Sequence, residues 1–145
     1  MIRNETEYKK AVERVEEESK MLEKTREHLK AKGLTDDEVK RVIDPIESFY
    51  LQLREEVESY EKLKRGEFEE MTNLGRMGSL LISLRIYLGL SQTDLAERLG
   101  VNGSQVSRDE RNEYHGITLD RAKKILESLG VKLHTTIETP DREVA

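Results

Sequence analysis

Apolar positions recur at two different periods along this chain, and the change between them organises it. Residues 5–32 contain neither Gly nor Pro, and Tyr8, Val15, Leu22 and Leu29 recur at seven-residue intervals, with Ala11 and Val12 beside the first turns. This predicts a helix carrying one thin apolar stripe on a charged rod. Gly33 fits the left-handed stop after it. Thr35 and Glu38 have the spacing of a capping box that opens a second helix. Its seam is Val39, Ile43, Ile46, Tyr50, Leu53, Val57 and Tyr60, at alternating spacings of four and three, as in heptads. Pro45 either kinks this helix or starts a fresh one with Asp44 as its cap. Lys64-Arg65-Gly66 reads as a basic C-terminus and a stop. Two long helices with a short turn between them form an antiparallel hairpin. So narrow a stripe is expected to need a second copy or a partner to cover it.

The second half is denser in apolar residues, and its helices are shorter. Met77, Leu80, Leu81, Leu84 and Leu88 share one helical face, which Gly89 ends. Ser91 caps a short helix over 92–99, closed by Gly100. Asn102 caps the next, about 103–111. A polar loop follows over 112–116. Thr118 caps a last helix, about 119–129, closed by Gly130. The period then switches to two. Val131, Leu133, Thr135 and Ile137 alternate with Lys132, His134, Thr136 and Glu138, a strand pattern with no other strand in the chain to pair with. A lone strand is expected to pair between subunits or with another protein. The residues from Pro140 read as a frayed tail.

Composition narrows the class. The chain has 145 residues, net charge −5, 38% charged and 5% aromatic side chains, no Cys and only 2 Pro. This is the make-up of a helical protein with long exposed faces. No apolar run approaches the ~20 residues of a membrane span. No apolar leader is visible, so the expected location is the cytoplasm. Zero Cys excludes disulfides and thiolate chemistry. The charge is uneven. Residues 1–70 carry 15 basic and 20 acidic side chains, whereas 76–132 carry 9 and 7. The expected organisation is therefore a helical arm at 1–70, a bundle at 71–131, and a strand and tail at 132–145.

Candidate chemistry is sparse. His28, His115 and His134 lie far apart and lack Cys partners, so no metal site is expected. Asp36-Asp37-Glu38 is explained by helix capping and dipole complementation. No nucleophile–base set, phosphate loop or nucleotide motif is present, so neither enzyme activity nor a cofactor is expected.

The informative stretch runs from Leu84 to Arg111. Leu95 and Leu99 anchor one helix, Ala96 lets the next cross close to it, Gly100 makes the turn, and Val101 and Val106 pack the inner face of the second helix. The pattern Leu-Gly-Leu-Ser-Gln…Leu-Ala…Leu-Gly-Val…Val-Ser-Arg…Glu resembles the Cro/cI-type (XRE) helix-turn-helix regulators over residues 74–131. The resemblance implies an all-α fold, with a five-helix, lambda-repressor-like bundle after the hairpin and the short C-terminal strand for intersubunit pairing. It implies that Gln92 contacts a phosphate and braces the recognition helix. Gly103, Ser104, Ser107 and Arg108 match positions that face base edges, while Asn102, Gln105 and Arg111 are neighbouring phosphate or outer-edge candidates. Arg85 and Glu110 match the family's internal ion pair. Arg108 has the fork geometry for a guanine edge. Two departures stand out. Gly103 offers no side chain where many relatives carry Gln or Thr, and Asp109 replaces a usually apolar residue. Asp109, Glu110 and Glu113 bring negative charge toward the DNA face, which is expected to make binding modest and salt-dependent.

The expectation is a sequence-specific regulator binding double-stranded operator DNA as a homodimer, with Val131, Leu133, Thr135 and Ile137 at the dimer or partner contact. Small acidic chains joining one helix-turn-helix to a helical arm also look like HigA-type antitoxins, which implies a basic toxin as partner. A general or phage-type regulator without a toxin is the alternative. A protein-binding adaptor, whose helix-turn-helix serves only for packing, is the reading from another class.

Overall fold

The computed structural model describes residues 1–142. It contains α1 (Glu5–Ala31), α2 (Asp36–Lys64), α3 (Met77–Tyr87), α4 (Gln92–Leu99), α5 (Gly103–Arg111) and α6 (Leu119–Leu129). Local chemistry sets most boundaries. Asn4 caps α1 by accepting from the Glu7 N–H at 2.8 Å, and Glu7 accepts in return from the Arg3 N–H at 2.9 Å. Thr35 caps α2 and accepts from the Glu38 N–H. Thr118 caps α6 in the same way through the Arg121 N–H. The helix α2 runs unbroken through Pro45. A proline there lacks the N–H for one backbone bond and its ring crowds the preceding turn, together costing about 3 kcal/mol in a helix interior. Here the ring lies on the exposed side, while Val39, Ile43, Val57 and Tyr60 are buried on the other.

The two long helices cover one another. At the far end Leu22, Val39 and Ile43 form a small core, with Leu29, Leu34, Ile46 and Tyr50 against it. At the near end the Tyr8 and Tyr60 rings stack with centroids 4.8 Å apart. Their hydroxyls donate across the hairpin, Tyr8 to Glu61 at 2.7 Å and Tyr60 to Glu5 at 3.2 Å. Of the α1 stripe, Leu22 is buried and Tyr8, Val15 and Leu29 are half-buried against these cores, so the α2 seam covers much of it within the chain. Val12, Met21, Val42, Phe49 and Leu51 stay exposed on the hairpin.

The main core joins both halves of the sequence. Ile2, Val57, Tyr60 and Leu63 are buried in one continuous cluster with Leu81, Ile82, Leu84, Ile86, Leu95, Ala96, Val106, Ile125 and Leu129. The bundle after the hairpin has four helices among the described residues, not five. The near end of α2 packs against α3 and adds to its apolar cover.

The alternating segment also differs from expectation. Val131, Leu133, Thr135 and Ile137 form no strand, and the described residues contain none. The Val131 N–H closes the end of α6 by donating to the Leu126 carbonyl at 3.0 Å. Beyond it Leu133 is at the edge of exposure and Ile137 is 88% exposed. A strand exists only by exchanging backbone hydrogen bonds with another, and one chain offers no second. The rest of the expected tail, Glu143, Val144 and Ala145, lies outside the described residues.

One close approach fixes the connection between α5 and α6. A side chain on Gly78 would place its first carbon 1.8 Å from the Glu113 carbonyl oxygen, so α3 and this loop meet backbone to backbone. Glu113 and Tyr114 hold the loop in left-handed conformations, φ 51° and 52°. That geometry drives Tyr114 inward, where it is 4% exposed and its hydroxyl has no protein partner. Burial pushes the Tyr114 phenol up to about 12, assisted by the negative charges of Glu110 and Asp109 and opposed by Arg85 and Arg121.

Between about pH 10 and 12 the unfolded chain releases a proton from Tyr114 that the folded chain keeps, so this group makes stability fall as pH rises through that window. Tyr8 and Tyr60 are also shifted upward and add to the slope. Tyr114→Phe is expected to leave stability at pH 7 within ~1 kcal/mol of the original, because the hydroxyl makes no bond to lose. It should flatten the alkaline fall. Urea midpoints at pH 7, 10 and 11.5 test this; an unchanged alkaline slope would refute it.

Candidate nucleic-acid interface

The short helices α4 and α5 are held at both ends. Ser91 and Asp94 form a reciprocal cap, with the Asp94 N–H donating to the Ser91 hydroxyl at 3.0 Å and the Ser91 N–H to the Asp94 carboxylate at 2.8 Å. The Ser91 backbone N–H, aided by its hydroxyl, holds the Asp94 carboxyl below its usual value. Gly100 takes the left-handed conformation at φ 69°, closing α4 and redirecting the chain. Leu95, Ala96 and Val106 are all at most 2% exposed, and the small Ala96 lets α5 cross α4 closely.

A buried polar cluster then sets the angle of α5. Arg85 on α3 is 4% exposed and Glu110 in the last turn of α5 is fully buried. Their contact is a two-pronged ion pair, in which Nε donates to one carboxylate oxygen and Nη2 to the other at 2.8 Å. The remaining arginine nitrogen, Nη1, donates to the Leu90 carbonyl at 2.7 Å. Gln92, the first residue of α4, donates to Glu110 at 2.8 Å. One arginine therefore joins α3, the turn before α4, and α5. A buried carboxylate left without such partners would be strongly unfavourable, so the arrangement has few alternatives.

With Val106 and Glu110 facing inward, the opposite side of α5 faces solvent. Ser104, Arg108 and Arg111 stand at helical spacings of four and three and are exposed, as is Asn102. Gly103, Gln105 and Ser107 are half-buried. Asn102 sits at the N-cap, but its side chain makes no capping bond and is free to act outward. Gln92 is half-buried and braced by its bond to Glu110. Its amide has a second N–H beyond the one given to Glu110.

The charge at this face is more favourable than the sequence suggests. Glu110 points into the core, and Asp109 pairs with Arg121 of α6. Arg108 and Arg111 make no ion pair among the described residues. The Asp109–Arg121 contact explains the departure at 109: an acid can stand in an apolar position because α6 supplies a cation. Glu113 alone of the three acids is exposed and unpaired there. Sequence reasoning passed over Arg121, Asp94, Gly78 and Tyr114. Asp94 was discoverable from its spacing to Ser91, while the others depend on contacts between elements.

The remaining candidates are scattered. His28, His115 and His134 are all exposed. Among the described residues no group of three His, Cys, Asp or Glu side chains could hold a metal ion. No helix there is long and apolar enough to cross a membrane.

Residues 81–135 match the model of a protein family described as helix-turn-helix. No curated protein and no solved structure matches the chain. The matched segment begins inside α3 at Leu81 and runs past the end of α6, so it includes both members of the buried ion pair.

Arg85→Met leaves the Glu110 carboxylate buried without its partner and is expected to cost about 3–5 kcal/mol. Pairing it with Glu110→Leu should recover much of that loss, since an apolar pair of similar volume needs no desolvation. Urea denaturation of both variants provides the measurement, and a double variant no more stable than Arg85→Met would contradict this account.

Proposed function

We propose that this chain, whose residues 81–135 form a helix-turn-helix domain, is a sequence-specific DNA-binding transcription regulator acting as a homodimer in the cytoplasm. The observation that carries the reading is the outward row of Ser104, Arg108 and Arg111 on α5, set in a domain of this family with the neighbouring Asp109 and Glu110 neutralised inside the protein. In such a unit the second helix enters the major groove and the first lies over the backbone. Arg108 reads a guanine edge. Gln92, Asn102, Gln105 and Arg111 hold phosphates or outer edges, and Gly103, Ser104 and Ser107 face the bases. The work is occupancy of a promoter, with no bond made or broken and no cofactor.

One recognition helix covers only a few base pairs, so two copies related by a two-fold axis would read half-sites about one helical turn apart. The segment 131–137 is the proposed contact. Apart from the Val131 N–H, which α6 uses, its backbone makes no hydrogen bond to another backbone group among the described residues, and the alternating Val131, Leu133, Thr135 and Ile137 suit an antiparallel ribbon with a second copy.

The hairpin favours a narrower reading, a HigA-type antitoxin that also binds a basic toxin protein. Residues 1–70, which contain this hairpin, hold the chain's whole acidic excess, and it leaves Met21, Val42 and Phe49 exposed. Charge complementarity would speed capture of a basic partner. A regulator without such a partner is the alternative.

Gel-shift titration against the DNA upstream of the protein's own coding sequence, with random duplex as competitor, tests the DNA reading. Arg108→Ala is expected to weaken binding to the preferred site by roughly 1–3 kcal/mol and to narrow its margin over random DNA. Equal binding of both duplexes by both proteins would end the proposal. For the dimer, a chain ending at Lys132 should elute as a monomer where the full chain elutes as a dimer. A dimer that survives this truncation would exclude the tail contact.

A further inference from the structure

Eight of the nine glycines have a reason within the fold. Gly33, Gly66, Gly89, Gly100, Gly116 and Gly130 adopt positive φ, Gly78 abuts the Glu113 carbonyl, and Gly75 lies 3.0 Å, by its would-be side-chain carbon, from the Thr72 carbonyl. Gly103 has none. It is the first residue of α5, its φ is not positive, and an added carbon would meet only the Thr93 hydroxyl at 3.7 Å, an ordinary contact. The fold therefore has room for a side chain at 103.

A glycine that the fold does not require is accounted for by what approaches from outside. Gly103 opens the first turn of the helix assigned above to the major groove, beside the exposed Asn102 and Ser104. The groove is about 12 Å wide, and a helix with its side chains is about 10–12 Å across. So close a fit leaves little room, and side-chain bulk at the leading turn decides how deeply the backbone can enter.

We propose that Gly103 is a specificity-determining position: its missing side chain lets the backbone of the first α5 turn close directly on a base-pair edge, so that this pair is selected by shape. The inference rests on the DNA-binding reading. It leaves the hydrogen-bond readout to Arg108 further along the helix, with Asn102 on a phosphate or outer edge beside the turn. It also gives a physical use to the position where the chain departs from the Gln or Thr of similar proteins.

The test uses the full-length protein and a random-sequence duplex pool. Wild type is first used to enrich a preferred duplex, and Gly103→Ala is then titrated against it. The expected result is a loss of affinity of about tenfold or more, with the urea midpoint of Gly103→Ala equal to or above that of wild type. Gly103→Ala binding the enriched duplex as tightly as wild type overturns the inference while leaving the DNA reading intact. A variant that unfolds also overturns it, because the fold would then have required the glycine. Enrichment of no duplex by wild type removes both the inference and the reading beneath it.

Discussion

Everything that presents α5 depends on one buried ion pair. Arg85 and Glu110 stand on different helices with 24 residues between them in the chain, and both are almost fully out of water. Such a pair is tolerable only with matched geometry and with its remaining donors satisfied. Here the fork of Arg85 meets both carboxylate oxygens, its third nitrogen finds Leu90, and Gln92 adds a further donor to Glu110. Apolar contacts alone could let α5 roll by several degrees at little cost. A bidentate contact in a dry interior ties orientation to the survival of the charges, and that orientation decides which side chains of α5 face outward.

The remaining architecture supports this device. Ala96 and Gly100 set the crossing and turn of α4 and α5, while the Gly78–Glu113 approach fixes the chain leaving α5. Arg121 reaches from α6 to neutralise Asp109. The hairpin contributes from the other side. Val57, Tyr60 and Leu63 belong to the same buried cluster as α3, so the helix that carries Arg85 is packed by the arm as well as by its own bundle.

Features governed by local spacing were legible in the sequence. Thr35, Ser91 and Thr118 announce their helices by short-range bonds, and the positive-φ glycines mark the stops. The seam from Val39 to Tyr60 showed one face of α2, and the Leu84–Arg111 pattern located the candidate interface. What escaped was set by contacts between elements. The stripe from Tyr8 to Leu29 looked too thin for the hairpin to cover alone, because how closely two paired helices interlock is displayed by neither one's pattern. Asp109 looked like a liability because its cation comes from Arg121, on another helix. The alternation at 131–137 is real, but alternation specifies only how side chains would face once a second strand exists. The fifth helix came with the family resemblance and was never written in the residues, whose breakers mark only four.

The arm has one more property. Its rods of 27 and 29 residues are each about 40 Å long. One end is embedded in the core beside α3, and the other carries a small core of its own around Leu22, Val39 and Ile43. Mechanically this is a lever with its fulcrum in the same packing that seats Arg85. A lateral displacement of several ångströms at the tip corresponds to a rotation of only about ten degrees at the base, given the rise of a helix. The base of the arm and the seat of Arg85 thus share one core, so a load on the free end bears on the packing that orients α5.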